Sequence, residues 1–142
     1  MTYGLDTTFT VQLGVAEHPT HAAAVGLRDR LLADSHDFAL APQVLAEHVH
    51  IVTDPRRFTS PATAADALDQ SRAWWEAIEI RRVYVDDEAV AIFYRWMAQH
   101  SLGRRRILDT MLAATYHSAG ITAIISSNGR DYRPFFKTIV SP

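Results

Sequence analysis

The chain has 142 residues, 48% of them apolar and 21% charged, a size and balance that suit one folded domain over 1–142 with a core of its own. It contains no cysteine, which excludes disulfide frameworks, zinc–thiolate sites, iron–sulfur clusters and cysteine nucleophiles. With 14 basic and 16 acidic residues the net charge is −2, which does not mark a generally basic nucleic-acid binder yet leaves room for a local basic strip.

In chain order, a short strand over 3–6 runs into the polar Asp6-Thr7-Thr8, and a helical turn or two follows over 8–14. Residues 20–33 read as a helix with Thr20 as a candidate N-cap. A buried strand over 38–41 leads into Pro42, a residue suited to the first position of a helix, and Val44, Leu45, His48, Val49 and Val52 continue at helical spacing. Residues 53–61 hold two prolines and form a helix-to-helix loop. A helix over 63–78 offers Leu68, Trp74, Trp75 and Ile78 to the core, and a strand is expected over 82–85. Asp86 caps a helix running to about residue 100, and a helix over 105–119 is closed by Gly120. Residues 123–126 are a continuous apolar strand, and 138–140 a last edge strand. Short apolar runs alternating with helical patterns mean β–α units and a parallel sheet. Such sheets gather their sites at strand carboxyl ends.

No apolar run nears the roughly 18 residues of a membrane span, and residues 1–6 lack a basic-then-apolar leader. The expectation is a soluble, cytoplasmic protein with no membrane attachment.

The acids stand out at those strand ends. Asp6 closes the first strand, and Asn128 and Asp131 follow the strand at 123–126. Glu47 and Asp109 lie inside apolar helical patterns, and Asp109 is the odder because Asp competes for backbone donors within a helix. A carboxylate facing a core needs a partner or a metal. Several meeting at one point favour a hard cation such as Mg²⁺, the ordinary equipment of phosphodiester hydrolysis. The plain alternatives are a helix cap at Asp6, a solvated Glu47, an ion pair from Asp109 to Arg105 or Arg106, and a turn at Asn128–Asp131. Thirteen of the basic residues are Arg and one, Lys137, is Lys. Arg104, Arg105 and Arg106 precede Asp109, and Arg130 adjoins Asp131, where they can attract the phosphates that carboxylates repel. Arg56 and Arg57 form a similar pair.

Four segments in this order resemble the PIN-domain ribonucleases, in particular the VapC toxins of bacterial toxin–antitoxin pairs. They are Leu5-Asp6-Thr7-Thr8, a helix bearing Glu47, Asp109 before Ala113-Ala114, and Ser126-Ser127-Asn128-Gly129-Arg130-Asp131-Tyr132. Thr8 stands where many members have Asn, Asn128 where some have an acid, and Tyr132 where Phe is usual. The resemblance implies a three-layer α/β/α fold with a central, mainly parallel sheet of four to five strands. It implies an endoribonuclease dependent on Mg²⁺ or Mn²⁺ that cuts tRNA or ribosomal RNA, is blocked by a cognate antitoxin and forms a homodimer. By this likeness Asp6, Glu47, Asp109 and Asp131 hold the metal and carry catalysis, with Asn128 as a further ligand. Thr7, Thr8, Arg104, Arg105, Arg106 and Arg130 would meet the substrate. The alternative is a non-catalytic PIN-like module that binds RNA or protein.

Overall fold

The computed structural model describes all residues 1–142. Five strands form one sheet in the order β3-β2-β1-β4-β5: β1 (Thr2–Leu5), β2 (Asp37–Leu40), β3 (Ile80–Arg82), β4 (Ala123–Ile125) and β5 (Thr138–Val140). All four pairings are parallel. The helices are α1 (Thr7–Gly14), α2 (His21–Ala33), α3 (Pro42–Val52), α4 (Ala64–Glu76), α5 (Asp87–Gln99), α6 (Ile107–Ser118) and α7 (Gly129–Tyr132), with a 3₁₀ turn at Arg104–Arg106 before α6.

Right-handed crossovers dictate the layers. The chain steps outward from β1 through β2 to β3, so α1–α4 share one face of the sheet. It then crosses back to β4 and on to β5, which puts α5–α7 on the other. The packing agrees: α1 meets α2 and α3, and α3 meets α4, whereas α6 meets α5 and α7. Both faces are covered, and Ala39, Leu40, Ala123, Ile124 and Ile125 are fully buried, as continuous apolar parallel strands require.

Local chemistry sets most boundaries. Asp86 accepts the Ala89 N–H at 2.7 Å, the N-cap bond expected of it. Gly120 adopts φ +77° after α6, with Gly120 N–H on the His117 carbonyl and Ile121 N–H on that of Tyr116, a Schellman close.

Several expectations need correction. Asp6 lies outside β1, because its side chain caps α1. Thr20 makes no side-chain cap bond; its N–H instead donates to His18 Nδ1 at 3.1 Å. The edge strand β3 sits two residues before the expected 82–85, since the register ends at Leu40↔Arg82. Beyond Leu40 the chain enters α3 through Pro42, which has no N–H to offer, so Tyr84 and Val85 find no ladder and stand exposed. Leu68 and Ile78 are also exposed. The inward face of α4 is Ala67, Ser71 and Trp74, and Leu68 lies about 100° round from it. Residues 129–132, expected as a turn, close into a single helical turn.

Gly4 of β1 has the ring of Tyr116 against it: a Cβ there would lie 2.7 Å from Cδ2. The Tyr116 hydroxyl donates to the Leu5 carbonyl at 2.7 Å, so the ring has no room to retreat. Gly4→Ala should lower stability by about 1–3 kcal/mol, the range for overpacking a tight core, read as a reduced urea midpoint.

Candidate functional site

β1 and β4 are neighbours at the point where the strand order reverses, and their carboxyl ends open the crevice that such sheets use for ligands. Asp6 ends β1 there and is buried. Four donors hold its carboxylate. Oδ1 accepts from Thr7 N–H at 2.8 Å and from the Tyr132 hydroxyl at 3.1 Å. Oδ2 accepts from Ser126 Oγ at 2.6 Å and Thr8 Oγ at 2.9 Å. Such donors replace the hydration that a carboxylate loses on burial.

The other acids arrive from both helical layers. Thr7 Oγ donates to Glu47 Oε2 at 2.8 Å, which draws the exposed Glu47 of α3 toward Asp6. From the opposite layer comes Asp109, in the first turn of α6, where the positive helix end favours a carboxylate; the oddity of an Asp amid apolar neighbours is resolved by that position. The Tyr132 hydroxyl lies 3.4 Å from Asp109 Oδ1, between the Asp6 and Asp109 carboxylates. Burial first, and then the charges of Asp6 and Asp131, push the Asp109 carboxyl up to about 6, against the opposing pull of Arg106. The Tyr132 hydroxyl is held well above its ordinary range by burial and the charge of Asp6.

Asp131 stands at the edge of the group, 3.4 Å from Arg106 Nη1. Arg106 also donates through Nη2 to the Asp131 carbonyl, so the expected pairing of Asp109 with its own helix goes to Asp131 instead. Asn128 and Arg130 are exposed, and Asn128 joins the site through its backbone N–H on Ser126 Oγ at 3.0 Å. Asp6, Glu47 and Asp109 line a cavity of ≈590 Å³ with Gln43, His50 and Leu108, and Asp131 lies outside that lining. Arg104 and Arg105 share an adjoining cleft of ≈470 Å³ with Glu47 and Asp109. No three acids or histidines stand at chelating distance as they are; the Asp6 oxygens are taken up by protein donors and the charges repel.

His48 and His50 diverge as their spacing implies. His50 reaches the cavity, while His48 is buried edge-on to Trp74 with Nε2 2.9 Å from Gln70 Oε1, and burial lowers its pKa. Sequence reasoning missed Ser126 as a partner of Asp6. Its signal is a polar residue closing an apolar strand, which carries meaning only once β4 is known to lie beside β1.

The protein-family model described as PIN domain matches residues 3–135. The chain belongs to the PIN-domain family. Among curated protein sequences none matches it. Solved structures share the fold at low identity. The VapC20 toxin of Mycobacterium tuberculosis, described as cleaving the sarcin–ricin loop, is 19% identical over 96% of each chain with a TM-score of 0.71. VapBC2 of Rickettsia felis, bound to a DNA fragment from its promoter, is 16% identical over 99% of this chain and 98% of its own, TM-score 0.68. VapBC-1 of nontypeable Haemophilus influenzae is 15% identical over 97% and 96%, TM-score 0.64.

Because the folded PIN domain holds Asp109 up at about 6, its contribution to stability is full below an unfolded pKa of about 3.9 and is lost as pH rises through 6. Asp109→Asn should therefore stabilise the protein in EDTA at pH 7.5 by about 1 kcal/mol, a figure reduced for solvent screening at this half-buried group, with no gain near pH 4. Urea midpoints at the two pH values check it.

Proposed function

We propose that this PIN domain, residues 1–142 acting as one unit, is a metal-dependent endoribonuclease and the toxin of a toxin–antitoxin pair. The observation that carries the reading is the gathering of Asp6, Glu47, Asp109 and Asp131, from four separate segments, with Asp109 raised by burial first and then by the charges of the other three. Such a group is all hard oxygen and repels itself, the donor chemistry that fits a Mg²⁺ or Mn²⁺ ion. Asp6, Glu47, Asp109 and Asp131 would hold the ion, with the Asn128 amide as a neutral oxygen. When bound it supplies a Lewis acid for the phosphodiester and an acidified water.

The chain's own groups do the rest. Ser126, Thr8 and the Thr7 N–H hold the Asp6 carboxylate in place. Thr7 engages one oxygen of Glu47 and so orients the carboxylate, leaving Oε1 free of protein partners to face the ion. Arg104 and Arg105, in the cleft beside Glu47 and Asp109, meet the phosphates of the incoming strand, and Arg130 extends that basic rim. Their role offsets the repulsion of RNA by the acids. A structured RNA such as tRNA or ribosomal RNA is the substrate. The VapC20 neighbour is described as a sarcin–ricin loop cleaving toxin, and two further neighbours are VapBC2 and VapBC-1. A cognate antitoxin and a homodimer belong to the same reading, supported by the exposed apolar Val85 and Leu108 on the cavity wall.

Purified protein with Mg²⁺ or Mn²⁺ should cut total RNA into discrete fragments. EDTA should stop it, and Asp109→Asn and Glu47→Gln should each slow it by about 100-fold or more. Undiminished cutting by Asp109→Asn would sink the reading. Intact RNA in the presence of bound metal would favour a non-catalytic binding module.

A further inference from the structure

A cleft of ≈500 Å³ adjoins the acidic centre at Thr8, lined among others by His18, Arg57, Phe58 and Ser127. We propose that it is a nucleotide subsite, taking the phosphate and base of the RNA residue next to the scissile bond; this rests on the ribonuclease reading above. Thr8 is the shared wall. Its hydroxyl donates to Asp6 and accepts the Ser127 N–H at 3.3 Å, so the cleft and the acidic centre are one hydrogen bond apart.

The hydrogen bonds already made leave donors turned toward the cleft. Gln12 Nε2 donates to Ser127 Oγ at 2.7 Å, which frees the Ser127 O–H to donate elsewhere. The Thr20 N–H donates to His18 Nδ1 at 3.1 Å, which leaves the ring proton on Nε2. The Arg57 guanidinium makes no hydrogen bond within the protein; its nearest approach to Asp54 is Nε at 3.6 Å, and its side chain is 59% exposed. Its terminal amines stay available for the fork-like grip that guanidinium makes on phosphate.

The carboxylate in this cleft is already engaged. Glu17 accepts the N–H groups of Ser60 at 2.9 Å and Thr59 at 3.3 Å. Those bonds pin the loop that carries Arg57 and Phe58 against the turn carrying His18, so the wall is built in advance. Beneath it Val11, Ile51 and Phe58 belong to a small apolar cluster separate from the main core. A polar rim with one guanidinium and neutral N–H and O–H donors, over an apolar floor with one aromatic ring, suits a nucleotide, phosphate on the rim and base on the floor. With Arg104 and Arg105 in the cleft beyond the acids, cationic residues flank the acidic centre on two sides, and an RNA strand can cross it from one to the other.

The test uses the whole protein in EDTA, titrated with uridine 3′-monophosphate and adenosine 3′-monophosphate and followed by amide chemical shifts. Shifts should concentrate at His18, Phe58 and Ser127. Arg57→Ala should weaken the binding about tenfold, and Arg81→Ala, on the distant edge strand β3, should not. Shifts confined to residues 104–109, or none at all, would overturn the subsite. The readout needs neither metal nor turnover, so it fails or succeeds separately from RNA cleavage.

Discussion

A carboxylate buried at the end of a parallel strand must be satisfied by its neighbours or it will not stay ionised. Asp6 meets that demand with donors from three places in the chain: the start of α1, the end of β4 and the tyrosine of α7. The requirement runs outward through the fold. It seats α1 directly after β1, it needs β4 beside β1, and it needs the chain after β4 to turn back as a short helix that brings Tyr132 inward. The reversal of strand order between β1 and β4 is what leaves space there for acids from both helical layers.

Electrostatics then shape the site as much as packing does. The nearest guanidinium to Asp109, that of Arg106, is given to Asp131 through side chain and carbonyl. Asp109 is left among Asp6, Glu47 and Asp131 with its proton affinity raised. Of the four acids only Asp131 has an ion-pair partner; the lack of pairing at Asp6, Glu47 and Asp109 separates the site from an ordinary ion-pair network. The surrounding cations sit in separate clefts to either side, where they attract an anionic strand without cancelling the acids.

The sheet that supports this arrangement persists among solved structures with only 15–19% identity. Its strands need only apolar side chains of suitable size, a demand that many sequences meet.

Much was legible in the residues alone, because it depends on neighbours close in sequence. The alternation of apolar runs and helical spacing, the cap at Asp86, the stop at Gly120, the proline start of α3 and the four acidic segments are all local patterns. The edge strand was misjudged because Val83-Tyr84-Val85 carries the right residues for a strand, yet pairing ends where β2 gives way to α3. Leu68 defies the sequence pattern because hydrophobicity does not say which way a helix faces, and Ile78 because α4 ends at Glu76, short of the expected 78, and leaves it in the turn before β3. Tertiary structure alone decided that Ser126 and Tyr132 serve Asp6, that Arg106 turns to Asp131, and that His18 and Arg57 share a cleft with Ser127. Those contacts join residues 120 and 126 positions apart in the case of Asp6. Spacing that long carries no geometric information until the sheet brings the strands together.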